Sequence, residues 1–430
     1  MNKLVPRSGP PSIALRVGLF GKLGSGNIGN DASMEAVLQY LSADHPGAII
    51  DAMCTGAERV TEWYGIPATP LFWYQKYDER VARIAAIPLK VLGKGIDIAR
   101  TAAWVRKHDA VIVPGMGVLE ASLPLRPWEF PYAMFLLCAS GRCFGTKVAL
   151  VSVGAAAVNQ RLTRWLFNWA ARLASYRSYR NAASRDAMQK RGLDTTNEPV
   201  YPDLAFALPT PAAKPADART VCVGVMAYRG SNDDRSRAEE IYASYITAMK
   251  QFVRWLVDNG HKVLLVIGDT NGSDDSVVRE ILTDLRESRP NVDPSWITAQ
   301  PVRTFADVMQ SMQRASSVVA IRFHNVLAAL KLCKPTIAIS YSAKHDALMA
   351  DMGAPEFRLP VKMLDMDLLV QQFTELQGRS GQLQQTLAMH KARNEQLLKD
   401  QFSELSDVLF PGHRPADPDT EVETAQEVSR

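Results

Sequence analysis

The chain is short of cysteine, has no long apolar run and carries no marked excess of either charge. Each shortage removes a class of function. Its five cysteines, Cys54, Cys138, Cys143, Cys222 and Cys333, form no Cys-x-x-Cys pair and no Cys/His ligand spacing. That excludes a zinc ribbon and a disulfide framework, and leaves buried free thiols in a reducing compartment. No metal site is expected. No uninterrupted apolar stretch approaches the roughly 20 residues that span a bilayer, and Met1–Arg7 lacks the sustained apolar segment of a secretory signal. The expectation is a cytoplasmic protein. A formal net charge of +4 is too mild to argue for nucleic acid and suits a small anionic substrate. What is present is ordinary for a globular protein: 430 residues, 47% hydrophobic, enough for two α/β domains with normal cores.

Short apolar runs alternate with helical patterns almost throughout. Ala14–Phe20, Ala48–Met53, Ala110–Val113, Val148–Val153 and Ser175–Tyr179 read as buried strands, with helices such as Ala32–Leu41 and Leu162–Leu173 between them. The alternation predicts an α/β fold with mainly parallel sheets and helices on both faces. Proline and small polar residues break the rhythm at Pro209–Asp217, as a linker would. Strands then resume at Val221–Met226, Lys262–Ile267, Ser317–Ile321 and Thr336–Ser340. The predicted division is an N-terminal α/β domain over 12–208, a linker over 209–219, a C-terminal domain over 220–410 and a disordered acidic tail over 411–430. A polar-rich helix near 382–405 is placed to pack back across the junction. Two doubly wound, Rossmann-like domains facing a cleft would set their strand ends, where ligands bind, on the cleft walls.

Two motifs lie at such strand ends. The run Ser316–Asn325 takes an apolar strand into Arg322, Phe323 and His324. A guanidinium there needs an anion to offset desolvation, and an imidazole beside it can move a proton near neutral pH. The competing reading is a structural Arg–carboxylate pair with a histidine capping the next helix. Lys344, in Ile339–Asp346, reaches the same surface from the following strand, and Arg180 ends a strand of the other domain. The second motif, Gly24–Ser25–Gly26–Asn27–Ile28–Gly29, has the spacing of a dinucleotide loop, with Asp51 downstream as a ribose-binding acid. Gly21–Lys22–Leu23 intervene before it, and Asp31 would repel a pyrophosphate unless it caps. Three readings stay open: dinucleotide binding, a loop for close backbone packing, or a loop that orders donor or acceptor through Asn27, Asp31 and backbone N–H groups. Asp269, Asp274 and Asp275 read as a turn plus helix cap. Residues 77–107 mix Val91, Leu92 and Ile98 with Lys90, Lys94 and Arg100, either as a core-facing helix pair or as a peripheral membrane contact.

These segments together resemble the polysaccharide pyruvyl transferases: Gly24 through Leu41, Arg180–Ser184, Tyr201–Phe206, and Arg322–Phe323–His324 through Tyr341 and Lys344. The resemblance covers about 17–353 in the same order. It implies a GT-B-like fold and transfer of the enolpyruvyl-derived group of phosphoenolpyruvate onto a saccharide as a pyruvate ketal, with no cofactor. Arg322 and Arg180 would hold the donor, with Lys344 and Tyr341 beside them. His324 would be the general acid that protonates the methylene carbon. Gly24, Gly26, Asn27, Gly29, Asn30 and Asp31 would form the acceptor-side loop, for an acceptor that includes lipid-linked saccharides. The chain departs from the family pattern by reading Asn27–Ile28–Gly29–Asn30–Asp31 where Asn-x-Gly-Asp is usual, and Gly115–Met116–Gly117 where three glycines are usual. The rival readings are a GT-B nucleotide-sugar glycosyltransferase, a non-catalytic scaffold of a polysaccharide assembly complex and, more distantly, a dinucleotide oxidoreductase.

Overall fold

A computed structural model describes residues 14–76, 86–120 and 127–412. The strands are short apolar runs buried on both faces, as all-parallel sheets require; all four residues of Ala110–Val113 are buried. The first sheet contains β1 (Arg16–Gly21), β2 (Ile49–Cys54), β3 (Ala68–Pro70), β4 (Ala110–Val113), β5 (Lys147–Val153) and β6 (Tyr176–Tyr179). The second contains β7 (Asp217–Gly224), β8 (Lys262–Val266), β9 (Ile297–Ala299), β10 (Ala315–Ala320), β11 (Thr336–Ser340) and β12 (Arg358–Pro360). Their orders are β3-β2-β1-β4-β5-β6 and β12-β11-β10-β7-β8-β9, parallel throughout. Each sheet therefore winds outward both ways from a central pair, β1/β4 in one and β7/β10 in the other. The fold is two doubly wound, Rossmann-like domains in a GT-B-like arrangement.

Three edge strands, β3, β9 and β12, have no counterpart in the sequence reading. Each is three residues long, and β3 and β12 end in proline, so none shows an apolar run. β7 opens at Asp217, inside the segment read as linker. Its first four residues are not buried and are held by backbone pairing, such as Asp217 N–H to Arg314 O at 2.9 Å, which leaves no hydrophobic trace. Residues 77–85 of the basic stretch and 413–430 of the tail lie outside the described residues.

The last helix, Ser380–Leu409, joins the domains a second time. Its first half lies on the C-terminal domain, where Asn394 Nδ2 meets Met352 Sδ at 3.4 Å and Glu395 meets Lys331 Nζ at 3.4 Å. Its second half lies on the N-terminal domain. There buried Gln401 accepts from Ser152 Oγ (3.0 Å) and donates to Ser178 Oγ (2.8 Å). Glu404 accepts from Tyr201 (2.7 Å), and Phe402 stacks on Tyr40 with centroids 4.6 Å apart.

Candidate active site

Because both central strand pairs end at the junction, the loops after β1, β6, β8, β10 and β11 converge there. The glycine loop after β1 is shaped by backbone approach. Gly24 has φ +65°, and a Cβ on it would strike the Gly56 carbonyl. Asp31 accepts the Gly24 N–H at 2.7 Å. Asn27 caps the helix Ile28–Asp44, its Oδ1 accepting from Gly29 (3.1 Å) and Asn30 (3.4 Å). The loop after β8 then clasps it from the other domain: Thr270 N–H donates to Gly26 O (2.9 Å) and Asn271 Nδ2 to Ser25 O (2.8 Å). The loop thus packs tightly and spends its carbonyls on the facing domain. Asn27 and Asn30 line the cleft, whereas Gly24, Gly26 and Asp31 support them from behind. Burial is the main reason the Asp31 carboxyl is raised to about 6, partly offset by the Gly24 hydrogen bond. Gly29 has another neighbour: a Cβ there would overlap the His324 imidazole.

Arg322 follows β10 after Ile321 and is the N-cap of the helix Phe323–Lys331. Its Nε and Nη2 each lie 2.8 Å from an oxygen of Asp274, with Asp269 at 3.8 Å. Asp274 is fully buried and also accepts the Ala227 N–H at 3.1 Å. The acidic run after β8 therefore divides its work. Asp269 makes the turn by accepting from Asn271 at 2.9 Å, while Asp274 balances Arg322 instead of capping its helix, whose N-cap is Gly272.

Arg180, at the end of β6, is buried. Its Nη2 meets Glu120 at 2.5 Å and its Nη1 lies 3.8 Å from Asp203, while Nε has no hydrogen-bond partner among the described residues. The guanidinium sits 5.5 Å from the Phe323 ring centroid. Burial alone would raise the Glu120 carboxyl, but Arg180 and Lys344 together hold it below the usual range. Lys344 forms no ion pair among the described residues; its Nζ stands over Phe323 (5.5 Å) and Tyr341 (5.7 Å). That ammonium is the readiest anion receptor in the cleft.

His324 stands between these cations. Burial, and then the positive charge of Lys344 and Arg180, push its pKa well down, which favours the neutral imidazole. Among the described residues its Nε2 has no hydrogen-bond partner; it lies 3.9 Å from Asp203 Oδ2, which also has none among them. Asp203 is buried, which raises its pKa despite Arg180, and its other oxygen accepts the Ala205 N–H at 3.1 Å. The pair leaves a polar gap that a proton or a ligand oxygen can bridge.

Arg180, Arg322, His324, Tyr341, Lys344, Asn27 and Asn30 share one cavity of about 460 Å³. A second, of about 650 Å³, lies beyond Arg180, Phe323 and Lys344, against Tyr201, Asp203 and Arg393. Sequence reasoning missed Glu120, three residues after the Gly115–Met116–Gly117 run, and the roles of Asp203 and Asp274. A buried strand-end guanidinium demands an acid, but which acid serves is decided by the fold.

A family model described as polysaccharide pyruvyl transferase matches residues 27–343. No curated protein sequence matches the chain. Among solved structures, S. aureus MnaA in its co-structure with UDP is similar over 94% of this chain and 100% of its own, at 12% identity and a TM-score of 0.57. A putative UDP-N-acetylglucosamine 2-epimerase from Listeria monocytogenes is similar over 94% and 99%, at 10% identity and TM-score 0.58. The lipopolysaccharide outer core galactosyltransferase WaaB in its apo form covers 92% and 99%, at 11% and 0.54. At such identities the likeness is one of fold.

Proposed function

The chain belongs to the polysaccharide pyruvyl transferase family, and from that premise we propose that it moves the pyruvate ketal group from phosphoenolpyruvate to a saccharide in polysaccharide biosynthesis. The observation that carries the donor assignment is the meeting of an unpaired ammonium, Lys344, with a neutral imidazole, His324, between two arginines already balanced by carboxylates. Phosphoenolpyruvate is a small polyanion, and fixed cations are its natural cradle. Lys344 supplies a free charge, and Arg322 has its Nη1 edge left beyond the Asp274 pair. Burial and then the cations depress His324; in a bound complex the donor's negative charge would offset the cations' share and favour the protonated acid.

His324 then delivers its proton to the methylene carbon, and a sugar hydroxyl attacks the adjacent carbon. A second hydroxyl displaces phosphate with the C–O bond, closing the ketal, and the hydroxyl protons reprotonate His324 and accompany the phosphate. Asp203 faces Nε2 and would stabilise the imidazolium. The chemistry calls for no cofactor. We assign the sugar to the cavity beyond the Arg180–Phe323–Lys344 wall, with Asn27 and Asn30 closing the donor side. A cytoplasmic setting accords with buried free thiols such as Cys138 and Cys222.

The test is thermal unfolding with phosphoenolpyruvate, UDP and NAD in parallel. A ligand at 100 times its dissociation constant adds about 2.7 kcal/mol. A shift with phosphoenolpyruvate that Lys344→Met abolishes supports the assignment. A shift with UDP alone moves the reading to a nucleotide-sugar glycosyltransferase, and no shift with any donor favours a scaffold.

A further inference from the structure

The helices Ala86–Val105, Phe130–Phe144 and Arg161–Leu173 lie side by side over the first sheet, and their outer side has an unusual composition. Arg161–Leu173 buries Leu166, Phe167, Ala170 and Ala171. Its period then turns Leu162, Trp165 and Trp169 outward, with exposures of 38%, 49% and 39%. Trp165 touches Phe135 (5.5 Å) and Trp169 (6.2 Å), so the ridge continues into a satellite cluster of Tyr132, Leu136 and Leu166 outside the main core. Trp128, 55% exposed, extends it through Tyr132 at 5.8 Å, and Val91 and Leu92, 69% and 61% exposed, extend it along the first of the three helices.

Charge separates this face from an ordinary sticky patch. The three helices contain seven lysines and arginines and a single carboxylate, Asp97, which is buried and paired with Lys94 and Arg100, so the other five carry the charge of the face. Arg172 stands 5.7 Å from the Trp169 ring, and Arg161 and Arg164 are exposed on the same helix. A second copy of the same face would set cation against cation. A bilayer with anionic headgroups offers both halves of the complement: phosphates for the cations, and the interfacial zone that tryptophan favours. The fold also orients the face. Parallel strands run toward the cleft and their crossover helices run back, so all three helices begin at the cleft end. Leu92, Trp128 and Trp165 lie in or just before their first two turns, on the side where Glu120 enters the site.

We propose that this three-helix face docks the protein on an anionic lipid bilayer, with Trp128, Trp165 and Trp169 at headgroup level and the cleft mouth turned to the membrane surface. The basic stretch singled out in the sequence supplies one edge of this face, and Arg161–Leu173 supplies its centre. Docking stands independently of pyruvyl transfer, because it is read from vesicle binding alone; a lipid-linked acceptor would follow only if both hold.

The experiment is co-sedimentation of the full chain with sucrose-loaded vesicles of phosphatidylcholine, with and without phosphatidylglycerol, alongside quenching of tryptophan fluorescence by brominated lipid. Wild type is expected to bind the anionic vesicles and be quenched. Each basic residue near an anionic surface contributes about fivefold to binding, so Arg161→Glu with Arg164→Glu should weaken it at least about twentyfold. Trp165→Ser with Trp169→Ser should remove most of the quenching. Both variants change exposed side chains, and an unchanged unfolding transition certifies their fold. Folded wild type that ignores anionic vesicles overturns the proposal, as does binding that both variants retain. A salt-resistant dimer that the tryptophan variant dissolves, without lipid binding, assigns the face to a protein partner instead.

Discussion

Gly29→Ala tests the site at its tightest point. Gly29 lies in the first turn of the helix Ile28–Asp44 and does not have a positive φ, so its backbone accepts alanine. Helix propensity alone would favour the change by up to about 1 kcal/mol. The obstacle is His324: a Cβ at Gly29 overlaps its Nδ1 and Cε1. The ring would have to retreat by at least about 1 Å, and a misplacement of that size costs about a hundredfold in rate. Overpacking would return about 1–3 kcal/mol of strain, leaving stability within a few kcal/mol of wild type. Lys344 and Arg322 are untouched, so stabilisation by phosphoenolpyruvate should survive. The assay is phosphate release during turnover with a saccharide acceptor, beside donor-dependent unfolding shifts. The expected result is kcat lowered about a hundredfold, with donor binding within a few-fold of wild type. Turnover at the wild-type rate would falsify the placement of His324 as the acid.

Other outcomes follow from the same contacts. His324→Asn should lower kcat by about 10²- to 10⁴-fold while keeping donor binding. Because burial and the neighbouring cations depress the His324 pKa and an anionic donor would raise it, donor binding should take up a proton and weaken as pH rises through that window. Calorimetry in buffers of different ionisation enthalpy reads this uptake, which His324→Asn should abolish. Lys344→Met should weaken donor binding without loss of stability, whereas Asp274→Ala, which strands Arg322, should destabilise by about 3–5 kcal/mol in denaturant unfolding. Asp31 has a folded pKa of about 6, above the ordinary 3.8, so the folded state binds the proton more tightly and stability falls as pH rises between those values. Asp31→Asn, which keeps an oxygen for the Gly24 N–H, should therefore be more stable than wild type above about pH 6 and not below about pH 4; denaturant midpoints across pH that move in parallel would refute this.

The central strands were legible because burial on both faces writes an apolar run; Ala110–Val113 and Thr336–Ser340 coincide in sequence and structure to the residue. Edge strands such as Ala68–Pro70 were not, because their pairing is carried by backbone groups that any residue possesses. The cations of the site could be read for a related reason: Arg322 interrupts a buried run, and such an interruption needs a cause. Their partners could not. Asp274 lies 48 residues from Arg322 and Glu120 60 residues from Arg180, and nothing local marks a carboxylate whose counterion arrives by folding. The Gly24–Gly29 loop shows the limit from the other side. Its spacing matches a dinucleotide loop, yet Gly24 accommodates Gly56, Gly26 accommodates Asn271 and Gly29 accommodates His324, a division of labour that only the tertiary neighbours reveal.

The second crossing made by Ser380–Leu409 has a mechanical consequence. A pair of lobes joined by one flexible tether can rotate about any axis. Here the chain passes between lobes at 209–216 and again within a continuous helix whose Gln401 and Glu404 are anchored on one lobe and Asn394 and Glu395 on the other. Two pivots define a line, and swinging about that line is the one relative motion that stretches neither. Such a swing opens or shuts the far lip, where Gly26 meets Thr270 and Ser25 meets Asn271. Those few hydrogen bonds are contacts that such a swing would have to break.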